Sequence, residues 1–218
     1  MDTEDARNRM VDSQVRPNKV IDPRIIDAMR SLPRERFVPP NVAPLAYADD
    51  DVPLGGGRYL MEPMVIARLV QTAAVRPSER ALVVGAGSGY GAALLASLGA
   101  VVTALEQDPA LLALARAVLP AVAPSVTLVT GPLAAGWPGG APYDIVLIEG
   151  AAEEIPAALI QQLKPAGGRI VAVRAVAGGV GHAAVGEAVG GASLAWQALF
   201  DCATPVLPAL RRAPSFVF

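Results

Sequence analysis

The stretch Ala81-Leu82-Val83-Val84-Gly85-Ala86-Gly87-Ser88-Gly89-Tyr90 decides the fold class. Its first four residues form a short apolar run that ends at a glycine, which is typical of a buried strand in a parallel sheet. Glycines let the backbone turn tightly and approach a ligand closely. A helix is predicted over residues 90–98, and its first turn presents unpaired N–H groups and a partial positive charge, suited to a carboxylate or a phosphate. The stretch therefore predicts a strand, a ligand-binding turn and a helix.

Strands and helices alternate on both sides of this stretch. The predicted strands cover residues 81–84, 101–105, 126–130, 143–148 and 169–173, and the predicted helices cover residues 64–74, 90–98, 108–119 and 156–163. This alternation implies right-handed crossovers and a parallel sheet that is covered on both faces. The β-like stretches 183–189, 193–202 and 214–218 have no helices between them, so we expect antiparallel strands at the sheet edge.

The first 62 residues follow a different pattern. Apolar residues recur at helical spacing near Met10 and Ile25, and Asp22-Pro23 offers a cap and a first-turn proline for the second helix. Residues 33–57 are rich in Pro, Gly and Asp and show no sustained period. We predict a helical N-terminal lobe and lid segment over residues 1–62, and an α/β domain over residues 63–218 that forms one structural unit.

Composition excludes several classes of function. The net charge of −2 gives no electrostatic footprint for nucleic acid or an anionic membrane. With one cysteine, Cys202, and one histidine, His182, the chain has no disulfide framework and no Cys/His cluster for zinc. We interpret Cys202 as a buried apolar residue and His182 as a loop or strand residue. The charged N-terminus lacks the apolar stretch of a signal peptide, so we expect a cytoplasmic protein without nucleic-acid, membrane or metal partners.

The glycine spacing favours one cofactor over another. A dinucleotide fingerprint that begins at Gly85 needs a small third residue where Tyr90 stands, and an offset match from Gly87 to Ala92 pushes the turn into the helix. The spacing Gly-x-Gly-x-Gly, with no diphosphate to accommodate, better suits S-adenosyl-L-methionine. A nicotinamide cofactor and a purely structural turn remain as alternatives.

An acidic residue strengthens the nucleoside interpretation. Glu106 lies 21 residues beyond Gly85, directly after the second predicted strand. A carboxylate at that place can accept both hydroxyls of a ribose. Its neighbour Asp108 has a structural role as a helix cap, whereas we expect Glu106 to have none.

Several further motifs carry a family resemblance. They are Leu32-Pro33-Arg34-Glu35-Arg36-Phe37-Val38-Pro39, Ala46-Tyr47-Ala48-Asp49, Val52-Pro53-Leu54-Gly55, Gly136-Trp137-Pro138, Ala141-Pro142-Tyr143-Asp144, Glu154-Ile155-Pro156 and Gln162-Leu163-Lys164-Pro165. Together with the glycine loop they resemble the protein-L-isoaspartate O-methyltransferase family, over residues 12–173. The resemblance implies a Rossmann-like S-adenosylmethionine-dependent methyltransferase fold with a helical N-terminal lobe and antiparallel C-terminal strands. It also implies methylation of isoaspartyl carboxylates in damaged proteins, which starts their repair.

The resemblance also assigns roles to individual residues. The implied cofactor-binding residues are Gly85, Ala86, Gly87, Ser88, Gly89, Glu106, Gly131 and Leu133. The implied substrate-binding residues are Tyr47, Asp49, Leu54, Tyr59, Leu60 and Met61. No residue is assigned as catalytic, because Met61 stands at the position of the family's serine.

Three departures from the family pattern bear on activity. Met61 replaces the serine, Val83 replaces an acidic residue before the glycine loop, and Pro132 replaces an aspartate that faces the adenine. Losing one neutral hydrogen bond costs about 0.5–1.5 kcal/mol, which predicts weaker cofactor binding rather than none. Losing the serine hydroxyl predicts suppressed turnover. Two alternatives follow: an impaired member that binds S-adenosyl-L-methionine for a regulatory role, and a methyltransferase retargeted to another acceptor.

Overall fold

The computed structural model describes residues 3–190 and 193–212. The N-terminal part of the chain consists of short helices and one hairpin. Its regular elements are α1 (Thr3–Met10), a π-helical turn (Val11–Val15), 3₁₀ turns (Arg16–Asn18, Arg34–Phe37 and Pro40–Leu45), α2 (Pro23–Ser31), β1 (Val52–Gly55) and β2 (Arg58–Leu60). Helix α2 begins as its sequence indicates, because Pro23 occupies the first turn and the Asp22 side chain accepts a hydrogen bond from the Arg24 N–H. Strands β1 and β2 form an antiparallel sheet of their own.

The rest of the chain alternates strands and helices. These elements are α3 (Pro63–Ala73), β3 (Arg80–Val84), α4 (Tyr90–Ser97), β4 (Val101–Glu106), α5 (Pro109–Val122), β5 (Thr127–Thr130), β6 (Ile145–Ala152), α6 (Ala157–Gln161), β7 (Arg169–Arg174), β8 (His182–Ala188) and β9 (Leu194–Asp201). Short 3₁₀ turns lie at Leu133–Ala135, Pro138–Gly140 and Pro208–Leu210.

These strands form one seven-stranded sheet in the order β5-β4-β3-β6-β7-β8-β9. The five strands from β5 to β7 are parallel, and β8 and β9 add antiparallel strands at one edge. The chain leaves β3 toward β4 and β5 and returns on the other side of β3 as β6. This reversal is a topological switch point, and its carboxyl edge is where open α/β sheets bind ligands.

The core covers both faces of this sheet. On one face, Val83 and Leu147 pack with α3, α4 and the N-terminal helices. On the other face, Val84 and Ile148 pack with the C-terminal segment that contains Leu207. The sheet edge that carries the glycine loop is therefore enclosed between the N-terminal lobe and the C-terminal segment.

Further predictions from the sequence concern single residues, the C-terminal stretch and the domain boundary. His182 is the first residue of β8, and Cys202 is buried directly after β9. The predicted β-like stretch 214–218 lies outside the described residues, and the division at residue 62 stays a prediction. Within the described residues, no helix is both long and apolar enough to cross a bilayer.

Candidate cofactor site at the glycine loop

The glycine loop between β3 and α4 needs glycine at three positions. Gly85, Gly87 and Gly89 have φ angles of 71°, 56° and 97°, in the left-handed region that side chains disfavour. The N–H groups of Gly85 and Ala86 both donate to the carbonyl oxygen of Leu105, at 3.0 Å each. The loop is thus tied to the end of β4 and placed at the switch point of the sheet.

Glu106 at the end of β4 lies directly beneath this loop and is fully buried. Its carboxylate accepts hydrogen bonds from the N–H groups of Gly87 at 2.8 Å, Gln107 at 2.7 Å and Asp108 at 2.9 Å. The expectation that Glu106 has no structural role is therefore wrong. The carboxylate joins the glycine loop to the start of α5, because it accepts from backbone donors of both, of which the Gly87 N–H is buried and would otherwise have no partner.

A buried arginine, which was not predicted from the sequence, forms an ion pair with the same carboxylate. The Nη1 atom of Arg58 lies 2.9 and 3.0 Å from the two carboxylate oxygens of Glu106, and its Nη2 atom donates to the carbonyl oxygen of Gly85 at 2.7 Å. The two side chains of this ion pair are 6% and 0% exposed. A signal existed: Arg58 shares the inward-facing side of β2 with Leu60, where a charged residue is unusual.

Two leucines complete the cover over the loop. A Cβ placed on Gly87 would lie 3.2 Å from Leu54 of β1, and one placed on Gly85 would lie 3.0 Å from Leu207. Leu207 is held there because its N–H donates to the carbonyl oxygen of Ala151 at 2.9 Å. The crevice at the switch point is therefore filled by side chains of the β1–β2 hairpin and of the C-terminal segment.

A second buried carboxyl group, Glu149 of β6, lies next to this site and was also missed. The residue is 6% exposed, and a Cβ placed on Gly91 of α4 would lie 2.4 Å from its Oε1 atom. Burial raises the pKa of Glu149 from 4.5 to about 8; Arg58 lowers it, Glu106 raises it further and Arg34 lowers it. Within the described part of the chain, its Oε1 atom has no hydrogen-bond donor. The available signal was a lone acidic residue that continues the apolar run of residues 145–148.

The implied adenine side is continuous with the loop. The N–H of Gly131 donates to the carbonyl oxygen of Glu106 at 3.2 Å. The N–H of Leu133 donates to the side-chain oxygen of Gln107 at 3.2 Å, and the Leu133 side chain is buried. The structure thus brings the implied cofactor-binding residues from 85 to 133 to one edge of the sheet.

The implied substrate residues differ in how far they are exposed. Tyr59 is 37% exposed and Asp49 is exposed, whereas Leu60 and Met61 are buried. Met61 is only 1% exposed and packs in the core, and its carbonyl oxygen accepts a hydrogen bond from Arg34 at 2.5 Å. The structure therefore gives Met61 a packing role at the position of the family's serine.

Tyr47 makes its side-chain hydrogen bond within the N-terminal lobe. Its hydroxyl donates to the carboxylate of Glu35, and burial raises its pKa. Only Leu54, among the implied substrate residues, contacts a glycine of the loop in the described part of the structure.

The fold and the site together define a class: a Rossmann-like sheet with a glycine loop and a following acidic residue, as in S-adenosylmethionine-dependent methyltransferases. Residues 5–178 match the model of the protein-L-isoaspartate(D-aspartate) O-methyltransferase family, and the chain belongs to that family. The predicted family, fold class, cofactor and enzyme class are confirmed, and the roles of individual residues stay predictions.

Relatives agree with this membership, and solved structures agree with the fold. A protein-L-isoaspartate O-methyltransferase of Methylorubrum extorquens is 44% identical over 172 residues, which cover 79% of this chain and 75% of that protein. One of Methanoregula boonei is 41% identical over 170 residues, or 78% of each chain. A solved protein-L-isoaspartate O-methyltransferase has a TM-score of 0.77 at 20% identity and covers 95% of this chain and 67% of its own. A Plasmodium falciparum protein described as a β-aspartate methyltransferase, in complex with S-adenosyl-L-homocysteine, also scores 0.77, at 17% identity over 93% of this chain and 98% of its own.

Proposed function

We propose that this protein transfers the methyl group of S-adenosyl-L-methionine to the carboxylate of L-isoaspartyl residues in damaged proteins. The observation that carries the proposal is the position of Glu106, a buried carboxylate bonded to the glycine loop at the switch point of the sheet. Family membership supplies the acceptor class.

The residues present fit the chemistry of this cofactor. Gly85, Gly87 and Gly89 let the backbone approach the methionine part, and Glu106 can accept the ribose hydroxyls. Gly131 and Leu133 would border the adenine. The obstacles are Arg58, which holds both oxygens of Glu106, and the Leu54 and Leu207 side chains that cover the loop. When bound, the cofactor supplies a methyl group that its sulfonium already activates.

The chain's own contribution is positioning. An isoaspartyl carboxylate is ionised near pH 7 and is itself the nucleophile, so the reaction needs no general base or metal. Holding donor and acceptor in line lowers a barrier by up to about 7–11 kcal/mol in ideal cases. The exposed residues Tyr59 and Asp49 are proposed to receive the peptide with Tyr47, Leu54 and Leu60. Met61 contributes packing there instead of a hydroxyl.

Formation of S-adenosyl-L-homocysteine from an isoaspartyl peptide tests this function. The matched control is the same peptide with a normal aspartyl linkage, and a Glu106→Ala variant, checked for folding by circular dichroism, is the control enzyme. We expect product with the isoaspartyl peptide and the unaltered protein only. Equal rates with the two peptides would refute the proposed acceptor.

A second candidate is a protein that binds the cofactor without turnover. The burial of Met61 favours it, since no hydroxyl at that position faces the site. The observation that separates the two is binding of S-adenosyl-L-homocysteine, measured by calorimetry, together with no product in the peptide assay.

We further propose cytoplasmic damaged proteins as partners, without nucleic acid, membrane or metal. The net charge of −2 and the single cysteine and histidine support this. Fractionation of cells that produce the tagged chain tests the location.

A further inference from the structure

The carboxylate of Glu106 has no capacity left for a ribose. Its Oε1 atom accepts from the N–H groups of Gln107 and Asp108 and from Arg58, and its Oε2 atom accepts from the N–H of Gly87 and from Arg58. A carboxylate offers about four lone-pair sites, so these five contacts fill it. The backbone donors are fixed by the loop and by the start of α5. Only the Arg58 side chain can leave to admit ribose hydroxyls.

Arg58 lies on a hairpin that is separate from the main sheet in its strand pairing. Strands β1 and β2 pair only with each other in the described structure, and the turn between them, Gly55-Gly56-Gly57, has positive φ at all three residues. A lone two-stranded hairpin is marginally stable in itself. Withdrawal of Arg58 therefore breaks no hydrogen bond of the seven-stranded sheet.

A second carboxyl group lies within electrostatic reach of the same guanidinium. Glu149 interacts with Arg58, and its Oε1 atom is buried without a donor among the described residues. The other groups that face it are Glu106 of β4, Arg34 of the Arg34–Phe37 turn, the Tyr90 hydroxyl and the N–H of Gly91. Glu106 and Glu149 thus share the Arg58 guanidinium, which contacts only Glu106 in this structure, and Arg34 adds a second positive charge near Glu149.

We propose that Arg58 is an exchangeable occupant of the cofactor crevice, which leaves Glu106 for Glu149 when the ribose binds. Arg58 and Glu149 then set the affinity for the cofactor together. The inference rests on the proposed function, because it takes an adenosyl ligand as the occupant of the crevice.

The exchange has a proton balance that can be measured. With Arg58 on Glu106, Glu149 keeps its proton near pH 7, since burial raises its pKa to about 8. When the guanidinium arrives, the carboxyl group ionises and its proton passes to the buffer. Ligand binding therefore releases up to one proton below about pH 8, and affinity rises with pH until about pH 8 and then levels off.

Calorimetry of S-adenosyl-L-homocysteine binding tests the inference without any turnover. The unaltered full chain is compared with Arg58→Gln, Glu149→Gln and a control, Arg116→Gln, whose side chain is exposed on α5. Each titration is run near pH 7 in phosphate and in Tris, because the difference in buffer ionisation enthalpy reports proton release. We expect Arg58→Gln to bind about tenfold tighter or more, because the ligand no longer has to break the ion pair between Arg58 and Glu106. Glu149→Gln should bind more weakly and release no proton, and Arg116→Gln should match the unaltered chain.

The outcomes separate this inference from the proposed function. Binding by Arg58→Gln that is equal to or weaker than that of the unaltered chain overturns the inference and leaves the cofactor assignment intact. Proton release by Glu149→Gln equal to that of the unaltered chain also overturns it. Binding by none of the proteins overturns the cofactor assignment as well. Should Arg58→Gln fail to fold, Arg58→Lys keeps the charge without the two-pronged contact, and tighter binding than the unaltered chain is again expected.

Discussion

Replacing Glu106 by glutamine should destabilise the fold strongly, because the change removes the carboxylate that contacts the buried Arg58 guanidinium. The two side chains are 0% and 6% exposed, so water cannot substitute for the lost carboxylate. Removing one partner of such a pair costs about 3–5 kcal/mol. The new amide NH₂ group also replaces one of the two oxygens, so it faces either the N–H of Gly87 or those of Gln107 and Asp108, which are donors themselves. For a chain of this length, the loss corresponds to a fall in Tm of roughly 6–20 °C.

Urea denaturation followed by circular dichroism measures this loss, and a second variant assigns its cause. Arg58→Leu with Glu106→Gln removes the uncompensated charge as well, so the double variant should recover about 2 kcal/mol or more relative to Glu106→Gln. The reasoning is refuted if Glu106→Gln unfolds within about 0.5 kcal/mol of the unaltered chain, the usual scatter of an inconsequential substitution. It is also refuted if the losses of Glu106→Gln and of Arg58→Leu, each measured as a single variant, simply add in the double variant.

Three further changes have definite expected outcomes. The fold raises the pKa of Glu149 from 4.5 to about 8, so the unaltered chain loses stability as the pH rises between these two values. In urea denaturation at about pH 8, Glu149→Gln should therefore be more stable than the unaltered chain. A stability advantage of Glu149→Gln that does not shrink toward about pH 5 contradicts this. Gly91→Ala should cost about 1–3 kcal/mol, because its Cβ would lie 2.4 Å from the Glu149 Oε1 atom; equal losses with and without Glu149→Ala would argue against that contact. Met61→Ala should lower the free energy of unfolding by about 2–4 kcal/mol through a core cavity, whereas a loss below about 0.5 kcal/mol would place the side chain outside the core.

Most of the parallel sheet was predictable because buried parallel strands have continuous apolar sequences. The predicted strand 81–84 corresponds to β3 (Arg80–Val84), and 101–105 corresponds to β4 (Val101–Glu106). β6 runs through Ala152, four residues beyond the predicted end at residue 148. Glu149 and Gly150 are typical of a strand end, but pairing of Ala151 with Val173 of β7 continues the strand.

The hairpin of β1 and β2 was not predicted, for a different reason. Strand β1 has four residues, which include a proline and a glycine, and β2 has three, so no alternation is long enough to recognise. The prediction of an irregular lid segment there missed the antiparallel pairing of Val52 with Leu60.

The site was predictable only where its chemistry is local in sequence. The glycine loop follows a strand directly, and Glu106 follows the next one, so spacing alone identified both. Arg58 lies 48 residues from Glu106, and only the fold brings the two together. Glu149 reaches the same place through the crossover that returns the chain to β6. No local pattern links these distant residues, and the side chains that fill the crevice were therefore missed.

The central claim is that an adenosyl ligand binds on Glu106 in place of Arg58. A crystal structure of the protein with S-adenosyl-L-homocysteine at saturating concentration tests it most directly. The ribose hydroxyls should lie within hydrogen-bond distance of the Glu106 carboxylate, with the Arg58 guanidinium displaced toward Glu149. A ligand bound elsewhere on the chain, with the ion pair between Arg58 and Glu106 intact, would contradict the claim.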